Sequence, residues 1–272
     1  MPLPAQRLLS GTARPICRHP LDNREDAPVS QTPLDRAETP DSPHLPGLER
    51  IHDWIFDLDN TLYPATSNLF DQVDQRMKAF ISEFLGVTPH RAFEIQKQYY
   101  HEYGTTLRGL MLNHGMEPGE FLSYVHDIDH SVLEPCSRLD AALSALPGRK
   151  LIFTNGSEKH AEDVLAALNL GHHFEGIFDI AAADYIPKPQ PPTYQAMIKR
   201  FGVTAEHSAF FEDSPANLKP AADIGMTTIW VRPKDAPWYK QTHDVSHCHH
   251  ITDELAPWLD AAVRTLRGHS ET

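Results

Sequence analysis

The chain is short of cysteine, of positive charge and of long apolar runs. Its three cysteines, Cys17, Cys136 and Cys248, lie far apart and form no C-x-x-C pair. That spacing argues against a disulfide framework or a cysteine-rich zinc site and suits a reducing, cytoplasmic setting. No apolar stretch approaches the ~20 residues that a membrane helix needs. There is no secretory apolar core and no internal repeat. Lys plus Arg number 24 against 37 for Asp plus Glu, a formal charge of -13. That balance argues against a broad basic surface for a nucleic acid polymer. An anionic ligand would have to be held locally, by a metal, by one or two cations or by helix N-termini.

A length of 272 residues allows one large domain or two modest ones. The hydrophobic fraction, 40%, is a little low for a globular chain. Residues 1–49 account for part of this. Proline recurs there (Pro15, Pro20, Pro28, Pro33, Pro40, Pro43, Pro46) and no apolar period persists, so the segment reads as a disordered tail. Its first twenty residues hold Arg7, Arg14 and Arg18 and no acid, a composition a transit peptide would share. A solvated tail is the reading adopted.

Periodicity then organises the rest. Trp54, Ile55 and Phe56 form an apolar run that reads as a buried parallel strand within 51–58. Leu69, Phe70, Val73, Met77, Phe80, Ile81, Phe84 and Leu85 recur at helical spacing. Further helices are expected over 90–103, 106–114 and 118–128. Residues 66–132 are thus an all-helical insertion. Beyond it, strands at 150–153, 177–182, 208–211 and 227–231 alternate with helices at 137–146, 158–169, 191–201 and 215–224. A last helix is expected at 253–267. This βαβ series predicts an α/β fold with a doubly wound parallel sheet, built from 50–65 and 133–272.

The polar residues fall at strand ends, where open α/β sheets bind ligands. The first strand runs into Asp57-Leu58-Asp59-Asn60-Thr61. Strand 150–153 runs into Thr154-Asn155-Gly156-Ser157, a hydroxyl with free amides at a helix start, suited to phosphate oxygens. Lys188 is clamped between Pro187 and Pro189. Strand 208–211 ends in Glu212-Asp213-Ser214, with Asn217 one turn on. Paired acids at a strand end suit Mg2+, a hard ion that takes oxygen ligands. Singly, each pattern could be a helix cap or a surface lysine. The four together, in one order on one sheet edge, are hard to read that way.

In these four motifs the chain resembles the haloacid dehalogenase (HAD) superfamily, over about 51–232, and the helical insertion resembles that superfamily's C1 cap. The resemblance implies a Rossmann-like core with the cap inserted after the first strand, and a Mg2+-dependent phosphomonoester hydrolase. It implies Asp57 as nucleophile, forming an aspartyl-phosphate, and Asp59 as the acid and base. Asp59 would then need a pKa raised from about 3.9 toward neutrality. Mg2+ would bind the Asp57 carboxylate, the Asp59 carbonyl and Asp213. Lys188 would neutralise the nucleophile and a phosphoryl oxygen, and Thr154, Asn155 and Gly156 would hold the other oxygens. Thr61, Glu212 and Asn217 are expected behind these ligands.

A narrower likeness, to the pyrimidine 5'-nucleotidase branch, rests on Asn60-Thr61-Leu62-Tyr63-Pro64, on Tyr103-Gly104-Thr105-Thr106-Leu107-Arg108-Gly109-Leu110 and on Tyr124-Val125-His126-Asp127-Ile128. It implies a small phosphorylated metabolite as partner, namely a nucleoside monophosphate. Tyr63, Tyr103, Thr105, Thr106, Arg108 and His114 are the cap-side candidates to meet a base or sugar, although tyrosines at helical spacing also suit a bundle core. Glu212 and Pro215-Ala216 depart from that branch, where Asp and a basic residue are frequent. Phosphatases or phosphomutases for sugar phosphates or pyridoxal phosphate are the nearest alternatives, and a non-catalytic binding protein a distant one. His243, His247, His249 and His250 fit no usual zinc spacing.

Overall fold

The structure, a computed structural model, describes residues 45, 47–233, 236 and 244–270. Most of the Pro-rich segment lies outside the described residues. Its C-terminal end does not behave as a tail: Leu45 and Leu48 are buried in the main core with Ile51 and Trp54. The core therefore begins a few residues before position 50, because two leucines at a spacing of three find an apolar face to cover. Among the described residues no helix is long and apolar enough to cross a membrane.

Six parallel strands form one sheet in the order β3-β2-β1-β4-β5-β6. They are β1 (Asp53–Phe56), β2 (Arg149–Phe153), β3 (Gly176–Phe178), β4 (Ser208–Glu212), β5 (Thr227–Val231) and β6 (His250–Thr252). β1, β4 and β5 are buried along their whole length, as strands covered on both faces must be. The chain winds outward from β1 to β3, then returns to the other side of β1 for β4. The switch point of this doubly wound order is thus the crevice between β1 and β4, where such sheets bind their ligands. Phe56 pairs with Phe211 in register, so Asp57 and Glu212 leave their strands at the same level.

Helices α5 (Ser137–Ala145), α6 (Glu158–Leu168), α7 (Pro191–Phe201), α8 (Pro215–Asp223) and α9 (Leu255–Ser270) belong to the core. The inserted bundle consists of α1 (Leu69–Leu85), α2 (Pro89–Tyr103), α3 (Thr106–His114) and α4 (Pro118–Val125). It has its own apolar cluster around Val73, Phe80, Ile81, Leu107, Leu110 and Phe121, which Ile180 joins from the core side.

Two expectations are corrected. The weak strand at 177–182 ends at Phe178, because the Asp179 carboxylate accepts the backbone N–H groups of Ala182 and Glu158 and turns the chain. β6 was missed. Three partly exposed residues at a sheet edge carry too little apolar pattern to register. Of the histidine group, His243 lies outside the described residues. His247 bonds the Pro215 carbonyl, and His249 Nδ1 accepts the Thr228 N–H.

Candidate active site

The strand ends converge around Lys188. Its ammonium group donates to Asp57 Oδ1, to Glu212 Oε2 and to the Phe153 carbonyl, each at 2.7 Å. Phe153 and Phe210 flank it with ring centroids at 5.0 and 5.2 Å. Lys188 is 1% exposed. Burial works to lower its pKa, but the charges of Asp57 and Glu212 outweigh that and raise it. It stays an ammonium.

One cation faces three carboxylates. Asp57, Glu212 and Asp213 each offer an oxygen, and these lie within 4.8 Å of one another. Burial first, then the Glu212 charge, push Asp57 up to about 7 against the pull of Lys188. Burial, Glu212 and Asp57 hold Asp213 well above the usual carboxylate range. With all three ionised the group would carry more negative charge than Lys188 balances, and Asp57 and Asp213 accordingly keep their protons to higher pH than free carboxyls. An oxygen-only donor set with surplus charge fits a hard divalent cation. Within it Glu212 is already engaged, by Lys188 on one oxygen and by the Ser214 N–H on the other at 3.1 Å. Thr61 donates its hydroxyl to Asp57 Oδ2 at 3.1 Å and so orients the carboxylate from behind. Asn217 bonds through its backbone, to Ser214 O and from Tyr194.

Asp59 lies in a different environment. Its Oδ1 accepts from the Tyr63 hydroxyl at 2.5 Å and from His160 Nε2 at 2.8 Å. Burial works to raise its pKa, but the charge and hydrogen bond of His160 and the bond from Tyr63 outweigh it and draw the carboxyl down to about 2. The expectation of a raised pKa is corrected: two donors stabilise the anion, and the pair's proton rests on His160. His160 itself is raised, since Asp59 outweighs the effect of burial.

Thr154 and Gly156 are placed as expected at the end of β2, with Gly156 N–H on Thr154 Oγ1 at 2.9 Å. The Asn155 side chain is not free for an anion. Its Oδ1 accepts the Lys188 N–H at 2.9 Å and its Nδ2 donates to the Lys188 carbonyl at 3.2 Å. Asn155 fixes the lysine loop, and any contact to an oxyanion would fall to its backbone.

The cap-side candidates divide. Tyr63 is 3% exposed and engaged with Asp59. Thr106 is buried, its hydroxyl on the Gln96 carbonyl. Both are corrected from substrate contacts to structural groups. Thr105 caps α3 by accepting the Arg108 N–H. His114 bonds the Tyr99 hydroxyl, and Tyr103 reaches Asn113 at 3.5 Å. The Arg108 guanidinium has no hydrogen-bond or ion-pair partner among the described residues. Tyr100, whose helical spacing suits a bundle core, is half exposed. Burial and then the charges of Asp213 and Glu212 raise its phenol.

Gly104 joins α2 to α3 and rests on the lysine loop. It has φ +84°, and a Cβ there would lie 3.1 Å from Pro187 Cγ and 3.5 Å from the Lys188 carbonyl. Gly104→Ala should therefore strain the turn by roughly 1–2 kcal/mol and lift the cap from the loop. We expect a fall in Tm of roughly 2–8 °C, with kcat/KM reduced at temperatures well below melting. An unchanged Tm would mean that the turn relaxes freely.

A switch-point crevice lined by carboxylates and one buried lysine, with a helical bundle inserted after β1, marks the active site of a hydrolase with an α/β core. The family model for haloacid dehalogenase-like hydrolases matches residues 55–225, and the chain belongs to that family. It is 28% identical over 205 residues to Phosphate metabolism protein 8 of Saccharomyces cerevisiae, covering 68% of this chain and 63% of that one. It is 27% identical over 145 residues to the GMP/IMP nucleotidase YrfG of Escherichia coli, covering 52% and 65%. The chain thus spans less than two thirds of the length of these relatives. In fold it is similar to the 2-haloacid dehalogenase of Pseudomonas syringae, with a TM-score of 0.51 at 20% identity over 79% of this chain and 99% of that one.

Proposed function

We propose that the protein is a Mg2+-dependent phosphomonoester hydrolase acting on nucleoside 5'-monophosphates, with pyrimidine nucleotides preferred. The observation that carries the chemistry is the separation of two carboxylates at the end of β1. Asp57 sits among Lys188, Glu212 and Asp213, where an anionic ester can be neutralised. Asp59, two residues on, is held apart by Tyr63 and His160.

In this reading an Asp57 oxygen bonds to phosphorus while the ester oxygen leaves and takes, through Asp59, the proton that the Asp59–His160 pair holds. Asp59 then takes a proton from the water that attacks the aspartyl-phosphate, releasing phosphate and restoring Asp57. Lys188 offsets charge on the nucleophile and on a phosphoryl oxygen. The Thr154 hydroxyl, held by the Gly156 N–H, and the Asn155 amide would hold the remaining oxygens. The Asp57 and Asp213 carboxylates and the Asp59 carbonyl would hold Mg2+, which when bound relieves repulsion between a carboxylate and an anionic ester. Arg108, Tyr103 and Tyr100 are the cap residues proposed to meet the part of the ester that varies.

The test is phosphate release with Mg2+ from UMP, CMP, dUMP, AMP, GMP, pyridoxal phosphate and several sugar phosphates. We expect UMP and CMP to exceed the purine nucleotides in kcat/KM by at least about tenfold, since a well-placed base contact contributes about 1–3 kcal/mol. A purine preference would discard the base assignment and keep the nucleotidase. Turnover confined to sugar phosphates or pyridoxal phosphate would discard the nucleotidase and keep the phosphatase.

A further inference from the structure

His160 is fully buried, and its Nδ1 has no partner among the described residues. A buried polar atom left in that state calls for an explanation, because an apolar side chain would fill the same space at less cost. His160 occupies the first turn of α6, directly behind the strand end that carries Thr154. Gly156 leaves it room: a Cβ there would lie 3.2 Å from His160 Cδ2. The ring thus reaches past Gly156 to Asp59.

His160 is held in turn by the cap. His126 follows α4, the last cap helix. Its ring stacks on that of His160 with centroids 4.3 Å apart and planes 10° from parallel. His126 Nδ1 lies 2.9 Å from Ser157 Oγ, and that oxygen accepts the His160 N–H at 3.3 Å. Burial, followed by His160, draws His126 down to about 3, so its ring is neutral and Nδ1 can accept the serine hydroxyl. His130, in the short turn His130–Val132 that leads back to the core, lies tilted against His160 at 5.9 Å. Two cap-side rings therefore back the one that bonds Asp59.

We infer that His160 is a positioning residue that fixes the Asp59 carboxylate for proton transfer to the leaving oxygen, and that His126 makes this placement depend on the seated cap. The inference rests on the phosphatase reading above. It differs from a packing role in a way that leaving groups reveal. An alkyl ester, such as a nucleoside 5'-monophosphate, needs its departing oxygen protonated. p-Nitrophenyl phosphate releases a stable phenolate and needs little help. General-acid catalysis is worth roughly 10²–10⁴-fold, and only that contribution should be lost.

The experiment measures kcat on both esters for the wild type, His160→Ala, His160→Gln, His126→Ala and His126→Phe, with Mg2+ saturating. We expect His160→Ala to lose about 10²-fold on the nucleotide and less than about fivefold on p-nitrophenyl phosphate. His160→Gln, whose amide can donate from nearly the same place, should recover at least about tenfold of that loss. His126→Ala should show the same selectivity in weaker form, and His126→Phe, which keeps a stacking ring, should recover part of it. An equal loss on both esters, or no loss on either, overturns the inference and leaves the phosphatase standing. A wild type that hydrolyses neither ester overturns both.

Discussion

Asp57→Asn is expected to abolish turnover, with kcat lowered by about 10⁵-fold or more, while making the metal-free protein more stable at neutral pH. The first effect follows from losing the nucleophile. The second follows from the charge surplus. Asp57 ionises in the unfolded chain near 3.8 but in the fold only at about 7, because burial and Glu212 oppose its charge. A carboxyl raised in this way contributes its stability fully below the unfolded value, and that contribution is lost as pH rises through about 7. Asparagine has the same shape and no charge. The mutant should match the wild type near pH 4 and melt several degrees higher above pH 7 in EDTA. Saturating Mg2+ should close the gap, since the wild-type carboxylates then gain a counter-charge. Thermal scans at pH 4.5, 6, 7.5 and 8.5, with and without Mg2+, measure this. A mutant that melts lower at pH 8 in EDTA would contradict the electrostatic account. Residual activity within about 10²-fold of wild type would exclude Asp57 as nucleophile, given what such a group supplies.

Lys188→Met should have the opposite effect on stability. The ammonium bonds Asp57, Glu212 and a carbonyl inside a fully buried site. Its removal leaves Glu212 without its cation and the three-carboxylate group without its only buried positive charge among the described residues. Breaking a buried ion pair from one side costs about 3–5 kcal/mol, roughly 6–20 °C in Tm for a chain of this size. Turnover should fall by at least about 10²-fold, the scale at which one preorganised electrostatic partner matters. Mg2+ should restore more of the mutant's Tm than it adds to the wild type's. A mutant that melts within about 2 °C of the wild type in EDTA would mean the carboxylates hold their excess charge as protons, at a cost below the buried-pair range. The two substitutions form a pair: one removes surplus negative charge, the other removes what balances it. Their Tm changes should differ in sign.

The polar strand ends are legible in the sequence alone. A βαβ series can be read from periodicity, and the topology of such a series sends the carboxyl ends of its strands to one edge. Asp57, Asp59, Thr154, Lys188 and Asp213 were therefore identifiable, and the structure brings Asp57, Lys188, Glu212 and Asp213 into one cluster. What each remaining side chain does was less legible. Tyr63 and Thr106 have residue types that suit a ligand, yet they serve Asp59 and the Gln96 carbonyl. Asn155 stands in a motif suited to phosphate and spends its amide on the Lys188 backbone. Thr106 and Asn155 find those partners 10 and 33 residues away, and nothing local to either position specifies them. His160 had a faint signal, a polar residue in the first turn of a helix that opens at a strand end, but such residues usually face solvent.

The sequence by itself determined the class of fold, the helical insertion and the edge of the sheet where the polar strand ends gather. These depend on short-range patterns, on apolar residues spaced by two or by three and four, and those patterns are written along the chain. The tertiary structure decided which donors face which carboxylate. His160 and Asp59 are 101 residues apart, and Lys188 and Asp57 are 131 apart. Burial and Glu212 set Asp57 high against the pull of Lys188, and His160 draws Asp59 low, although the two carboxyls lie two residues apart on one strand end. A pKa follows burial and neighbouring charge, and both exist only once the chain has folded.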